Sequence, residues 1–397
     1  MRVASSTIQQ GALNGMLRQQ AQLARTQNEV ATGKRIQTPA DDPPAAARLA
    51  GLERSLAENV RFSANSDSAV NRLNFEEQAI ADVTNSLQRL QELALQANNT
   101  VVDTDSRRMI SAEMRSRLQE IRDIANRQDA SGDYLFSGFR SNTRPFERDV
   151  GGIVYRGDTG GRMIQIGPDQ SVADGHSGFA AFVNIREGNG TFITSANTAS
   201  TGTGAISAGS LFDPSAWIVD DYTISFTSPS AYEVRDSANA LVSTGTYASA
   251  GEIQFRGISI TISGAPATGD TFNVDAAGTE SVFDTIDSLI ATVEQATATP
   301  ASRAQFSSAM ATVIGQLSSS TDHMSSIRAE IGARLNTLES AANARDQLDV
   351  ETQKVMSDLR DVDYAEAITR MNAQLVGLQA AQQSYTRIAG LTLFDYL

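Results

Sequence analysis

The chain has 397 residues, enough for two or more domains, with 46 acidic against 32 basic residues and a formal charge of −14. That balance argues against a nucleic-acid surface, which needs clustered Lys and Arg; Lys34 and Lys354 are the only lysines, so almost all the positive charge is arginine. The absence of cysteine excludes disulfides and thiolate metal sites, and no apolar run is long enough to span a bilayer.

Residues 1–10 are polar and lack the apolar stretch of a cleavable signal, which fits a cytoplasmic protein or one exported without cleavage. Of the 29 glycines, 19 fall within 151–278, and proline is absent from 45–144 and from 301–397. Helix interiors exclude proline and disfavour glycine, so the two ends read as helical and the middle as turn-rich β structure.

The first segment, 1–40, carries a helical stripe at Leu13, Met16, Gln20, Leu23, Gln27 and Val30 and stops at Thr32-Gly33. A new start follows at Asp42-Pro43, where the aspartate can cap free N–H groups and proline suits the first turn. The helix beyond repeats Leu73, Glu76, Ile80, Val83, Leu87 and Leu90. If continuous over 43–99 it is about 85 Å long at 1.5 Å per residue. A third helix is expected from Thr104-Asp105 to Asn126.

The middle, 149–280, alternates with period two at Tyr222, Ile224 and Phe226, at Ile258, Ile260 and Ile262, and at Phe272 and Val274. It is expected to be an antiparallel β domain whose first hairpins can pack on the helices. The Ser/Thr/Gly-rich stretch 197–210 is read as a loop that could divide it into two sheets. Trp217 is read as β-domain core.

Helices return at Ser281. Pro300 is read as ending a connection, with Ser302 and Gln305 as a capping box for the next helix. That helix carries one 4-3 rhythm through Phe306, Met310, Val313, Leu317, Ser320, Met324, Ile327, Ile331, Arg334, Leu338, Leu348, Thr352, Val355 and Leu359. The register fails at Asp361-Val362-Asp363, and a shifted stripe then runs through Tyr364, Ile368, Met371, Leu375, Leu378, Gln382 and Tyr385 to Ile388. These breaks divide the helical ends into 41–148 and 281–362, which pair as a long bundle, and the outer segments 1–40 and 363–397. Detached amphipathic ends have little to bury within one monomer, and polar seam residues suit a seam completed by neighbours, so the outer segments are expected to pack between copies.

No catalytic, cofactor or metal constellation stands out. His176 and His323 read as surface residues, Asp41-Asp42 and Asp361/Asp363 as helix caps, and Gly33-Lys34-Arg35 lacks the frame of a phosphate loop. The sequons Asn98-Asn99-Thr100 and Asn189-Gly190-Thr191 are of a kind common by chance.

Several stretches resemble the flagellin superfamily. Thr32-Gly33-Lys34-Arg35-Ile36 followed by Asp41-Asp42-Pro43 is similar to the junction motif of flagellins and their relatives, and 90–100 is similar to the segment after their first long helix. Gly132-Asp133-Tyr134-Leu135-Phe136-Ser137-Gly138 with Pro145-Phe146, then Tyr155-Arg156-Gly157-Asp158, resemble the hook–filament junction subfamily (hook-associated protein 3) more than flagellin, as does the ending Leu393-Phe394-Asp395-Tyr396-Leu397. The stretches 257–266 and 269–272 resemble a β unit of hook-associated proteins, while 188–220 matches nothing.

The resemblance implies a non-enzymatic flagellar subunit, exported without a cleaved signal and located outside the cell at the hook–filament junction. Its implied partners are itself, the first hook-associated protein, flagellin and, before secretion, a cytoplasmic export chaperone, with no nucleic acid and no membrane insertion. The competing readings are a flagellin of the filament itself, an enzyme with a site in the β domain, and a membrane-linked coiled coil.

Overall fold

A computed structural model describes residues 2–99, 103–295 and 297–390. The chain divides into two compact units, 1–64 with 340–397, and 65–339. The fold class is the expected one, helical chain ends with an antiparallel β insert. The helices are α1 (Arg2–Thr32), α2 (Pro43–Ala97), α3 (Thr104–Ala125), α4 (Val282–Val293), α5 (Pro300–Arg360) and α6 (Tyr364–Gly390).

Their ends follow local hydrogen-bond chemistry. Asp103 caps α3 by accepting from Ser106 N at 2.7 Å, and Ser281 caps α4 by accepting from Asp284 N at 3.1 Å. Pro300 ends the connection, as expected, and is itself the first residue of α5. Thr299 is the cap, its hydroxyl accepting from Ser302 N at 3.0 Å. Gln305, expected to complete a capping box, instead donates to the Thr198 and Ser200 carbonyls. Proline has no N–H to lose in a first turn, so the same residue that terminates one helix is suited to begin another.

Within 65–339, the seam positions Leu73, Ile80, Leu87 and Leu90 of α2 are buried, as are Val313, Leu317, Ile327, Ile331 and Leu338 of α5. Two of the polar seam residues find partners inside the same unit. The Ser320 hydroxyl donates to the Gln316 carbonyl at 2.9 Å, and Arg334 donates to the Gly175 carbonyl at 3.3 Å.

The β region begins with the hairpin β1–β2 (Phe146–Asp149, Gly152–Tyr155) and the pair β3–β4 (Met163–Gln165, Ser171–Ala173). A π-helical turn, Phe179–Val183, leads to β5 (Ile185–Arg186). Phe146, Phe182 and Phe283 meet at ring distances of 5.0–6.2 Å, so the first hairpin packs on α4. The motif residues around Phe136 and Tyr155 belong to this cluster. The Tyr155 hydroxyl donates to the Phe136 and Asp158 carbonyls, and its pKa is pushed up to about 12 by burial and by the Asp158 charge.

The remaining strands are β6 (Phe192–Ala196), β7 (Ala205–Ile206), β8 (Ser210–Leu211), β9 (Tyr222–Ser228), β10 (Ala231–Arg235), β11 (Leu241–Thr246), β12 (Glu252–Phe255), β13 (Ile258–Ser263), β14 (Thr271–Ala276) and β15 (Thr279–Glu280). A five-stranded sheet in the order β11-β10-β9-β14-β6 faces a second sheet in the order β12-β13-β7, with β8 also on β13, and β15 pairs with β5. The alternating residues Tyr222, Ile224, Phe226, Ile258, Ile260, Ile262, Phe272 and Val274 fill one core between the two sheets, and Trp217 packs against it. The stretch 197–210 is not all loop, because β7 and part of β8 lie in it. Two-residue strands set by pairing with β13 leave no periodicity to read.

The unit boundaries fall within α2 and α5, whereas the breaks in sequence pattern lie at 40/41 and 362/363. The first turns of α2 and the last turns of α5 stay with the outer helices because the chain between them is tied together.

Candidate assembly surface

That tie is made by residues 33–42 against the α5–α6 joint. Gly33 has φ +70°, and a Cβ there would lie 2.9 Å from the Tyr364 hydroxyl, so only glycine suits the turn. Lys34 pairs with Asp361 as a β-bridge, and Val362 N donates to the Gly33 carbonyl at 3.0 Å. Arg35 N donates to the Arg360 carbonyl at 2.7 Å, while its guanidinium reaches the Leu359 carbonyl at 2.7 Å and Asp42 at 3.3 Å. Every residue of the Gly33-Lys34-Arg35 motif is thus spent on joining the two helical ends.

Around the joint, each aspartate has a definite structural task. Asp41 accepts from the backbone and hydroxyl of Thr38 and from Gln37 N, which hold its carboxyl below the usual range. Asp42 accepts from Ala45 N at 3.2 Å and so caps α2, with Pro43 in the first helical position. Asp363 caps α6 by accepting from Ala365 N and Glu366 N at 2.9 and 3.2 Å. Ile36, Ala45, Leu49 and Met356 form a small core beneath, with Leu359 packed against it.

In this same unit the heptad rhythm stops marking the buried face. Leu348 and Val355, expected in the seam, are 53% and 38% exposed, while Thr352 on the same rhythm is buried and so is Met356, which lies off it. A straight helix turns once every 3.6 residues, so a strict 3.5-residue pattern drifts about 20° per heptad and leaves the contact face within a few turns.

α1 and α6 pack against each other and run antiparallel. Gly33 meets Tyr364, Arg370 pairs with Glu29 at 2.9 Å, and Gly377 lies against Gln19. Among the described side chains, Leu23 and Thr26 are the buried residues of α1, and Ala367 is that of α6. Of the expected assembly positions, Leu23 is buried, while Met16, Val30, Met371, Leu375, Leu378 and Tyr385 are half-buried. Leu13 and Ile368 are exposed, and the Ile388 side chain lies outside the described residues, as does the 393–397 motif. Tyr364, the first position of the α6 stripe, is 52% exposed, and the pattern overlooked Leu17 and Val376, which are 54% and 66% exposed. Two helices touching only each other cannot cover apolar positions on more than one side of either.

A second constellation, in 65–339, escaped sequence reasoning. Arg72 lies buried, donating to Asp129 at 2.7 Å and to the Tyr134 and Leu135 carbonyls at 3.1 Å, with Asp174 at 3.6 Å from its Nε. Asp174 is also held by Arg162. His176 is no surface residue. Its side chain is 7% exposed and sits between Glu76 and Glu330. His323 is half-buried, with Nε2 2.8 Å from the Ala180 carbonyl. The one signal pointing here is Glu76, an acidic residue in an otherwise apolar stripe.

Among the described residues, no group of three His, Asp or Glu is placed to hold a metal ion, and no helix is long and apolar enough to cross a membrane.

Comparison with known proteins agrees with this geometry. The bacterial flagellin N-terminal helical region matches residues 3–141 and the bacterial flagellin C-terminal helical region matches 314–397. The D2-like domain of flagellar hook-associated protein 1 matches 195–276, so most of the stretch 188–220 does fall within a recognisable module. These matches define a subunit of the flagellin superfamily carrying a hook-associated β insert.

Crystalline FlgL from Xanthomonas campestris is 35% identical with a TM-score of 0.69, the alignment covering 77% of this chain and 99% of that one. Hook-associated protein 3 from Legionella pneumophila is 28% identical with a TM-score of 0.75, covering 78% and 98%. Flagellar hook-associated protein 3 of Escherichia coli (strain K12) is 24% identical over 396 residues, which is 100% of this chain and 99% of that one. The chain belongs to the FlgL family of flagellar hook-associated protein 3.

Proposed function

We infer that this chain is an adaptor of the bacterial flagellum, a structural and non-catalytic subunit at the junction of hook and filament, assembling through α1 and α6. Family membership supports the location. The observation that carries the mode of action is the row of exposed apolar residues on the paired helices: Leu13, Leu17, Tyr364, Ile368 and Val376. Covering what remains exposed of such a side chain contributes about 1 kcal/mol, so five contribute about 5 kcal/mol per copy. Association must first offset lost rotational and translational freedom, so this gain matters most where several neighbours act together.

The partners are further copies of the chain, the first hook-associated protein on one side and flagellin on the other. Before export, a cytoplasmic chaperone covers the same apolar positions of α6. A filament flagellin is the competing reading, favoured by the flagellin helical regions at both ends.

A deletion strain separates the two. Loss of a junction adaptor leaves hooks that cannot retain filament, so flagellin monomers accumulate in the medium. Loss of filament with no shed flagellin contradicts the adaptor reading.

A further inference from the structure

Assembly through α1 and α6 makes no use of the buried charges of 65–339, and one of them is built as a clasp. We propose that protonated His176 ties the segment 171–178 to α2 and α5 at once, and that on losing its proton it releases α5. The inference is independent of the flagellar role.

The geometry demands two donors. His176 Nδ1 lies 2.7 Å from Glu76 Oε1 of α2, and Nε2 lies 3.0 Å from Glu330 Oε2 of α5. Carboxylates only accept hydrogen bonds, so both ring nitrogens must carry a proton, which is the imidazolium form. The carboxylates lie at opposite ends of the ring, so no single ion could bind all three groups.

A neutral ring keeps one N–H, and the surroundings decide where it goes. Glu76 is 2% exposed and also accepts from His176 N at 3.0 Å, so abandoning it leaves a buried charge underpaired. Glu330 is 54% exposed and can turn to water or to Arg334, 3.3 Å away. The proton retained is therefore the one on Nδ1, and the contact given up is the one to α5.

The groups around the ring favour the charged form. Glu76 faces it from α2, and Glu330 and Arg334 from α5, while Arg72, Asp129, Asp174 and Arg162 form the adjoining ion-pair network. Two carboxylates and one guanidinium thus act directly on the ring. Burial by itself lowers the His176 pKa, but the hydrogen bond and charge of Glu76, joined by the hydrogen bond to Glu330, outweigh burial and the opposing Arg334 and raise it above 6.5. Glu330 is correspondingly held below 4.5, chiefly by its hydrogen bond to His176.

The signs follow. Stability from His176 is fully present below pH 6.5 and is lost as pH rises through the raised value, while that from Glu330 is present above pH 4.5 and is lost as pH falls through the lowered one. The clasp is closed between these limits and opens on the alkaline side.

Histidine NMR on the full chain tests this, with His323→Gln assigning the two rings. His176 should titrate above 6.5, with both nitrogens protonated below that point and the Nδ1–H tautomer above it. Glu330→Gln, at an exposed position, should lower the His176 pKa while keeping that neutral tautomer. The gap in unfolding midpoint between wild type and His176→Gln should shrink as pH rises from about 6 to 9. A His176 pKa at or below 6.5, an Nε2–H neutral form, or no response to Glu330→Gln overturns the proposal, and the Glu330→Gln measurement stands even if His176→Gln does not fold.

Discussion

Arg72→Met is expected to lower the thermal unfolding midpoint by on the order of 10 °C. The side chain is 7% exposed and satisfies Asp129 and two backbone carbonyls, with Asp174 beside its Nε. Methionine fills similar volume but leaves the acceptors facing an apolar chain. Breaking a buried pair from one side costs about 3–5 kcal/mol, and each kcal/mol moves the midpoint by roughly 2–4 °C in a domain of this order of size. Arg72→Lys should recover little, because a point charge cannot reach the carboxylate and both carbonyls as a planar fork does. Arg328→Met is the control. It removes an exposed pair with Glu77, and such pairs contribute about 0–1 kcal/mol. Differential scanning calorimetry of the three variants reads all of this directly.

Val376→Asp is expected to abolish assembly while leaving the soluble monomer's unfolding midpoint nearly unchanged. Val376 points away from α1, being 66% exposed, so an added charge loses no contact within the chain. Any neighbour that covered it would have to bury an unpaired carboxylate, at several kcal/mol. Leu375→Asp and Leu378→Asp, at half-buried positions on the paired helix, should block assembly too but also loosen α1 from α6. Sedimentation of mixtures with flagellin measures association, and circular dichroism measures whether the helices persist. If Val376→Asp assembled as well as wild type, the outward face of α6 would not be the surface used.

The difference between what was legible and what was not tracks the range of the interaction responsible. Asp42, Pro43 and Asp363 are readable because a cap is decided within four residues of chain. Tyr222, Ile224 and Phe226 are readable because a sandwich strand must alternate. The seam is readable as far as Leu338, but the heptad count carried past it mistakes Leu348 and Val355 for buried residues, because the face that is covered depends on where neighbouring helices actually run. His176 lies 100 positions from Glu76 and 154 from Glu330, and no periodicity joins residues that only folding brings together. Exposed apolar positions proposed for assembly, such as Leu17 and Val376, are the hardest to read, since an apolar residue on a helix looks the same whether the chain or a neighbour covers it.

As proposed, the chain forms a thin adaptor layer held by its paired outer helices between hook and filament. Electron microscopy of native flagella carrying a label on the β insert tests it most directly. The label should appear as a single band at the distal end of the hook, one per flagellum and absent along the filament. Label distributed along the filament would make the chain a flagellin, and flagella bearing none would contradict the account outright.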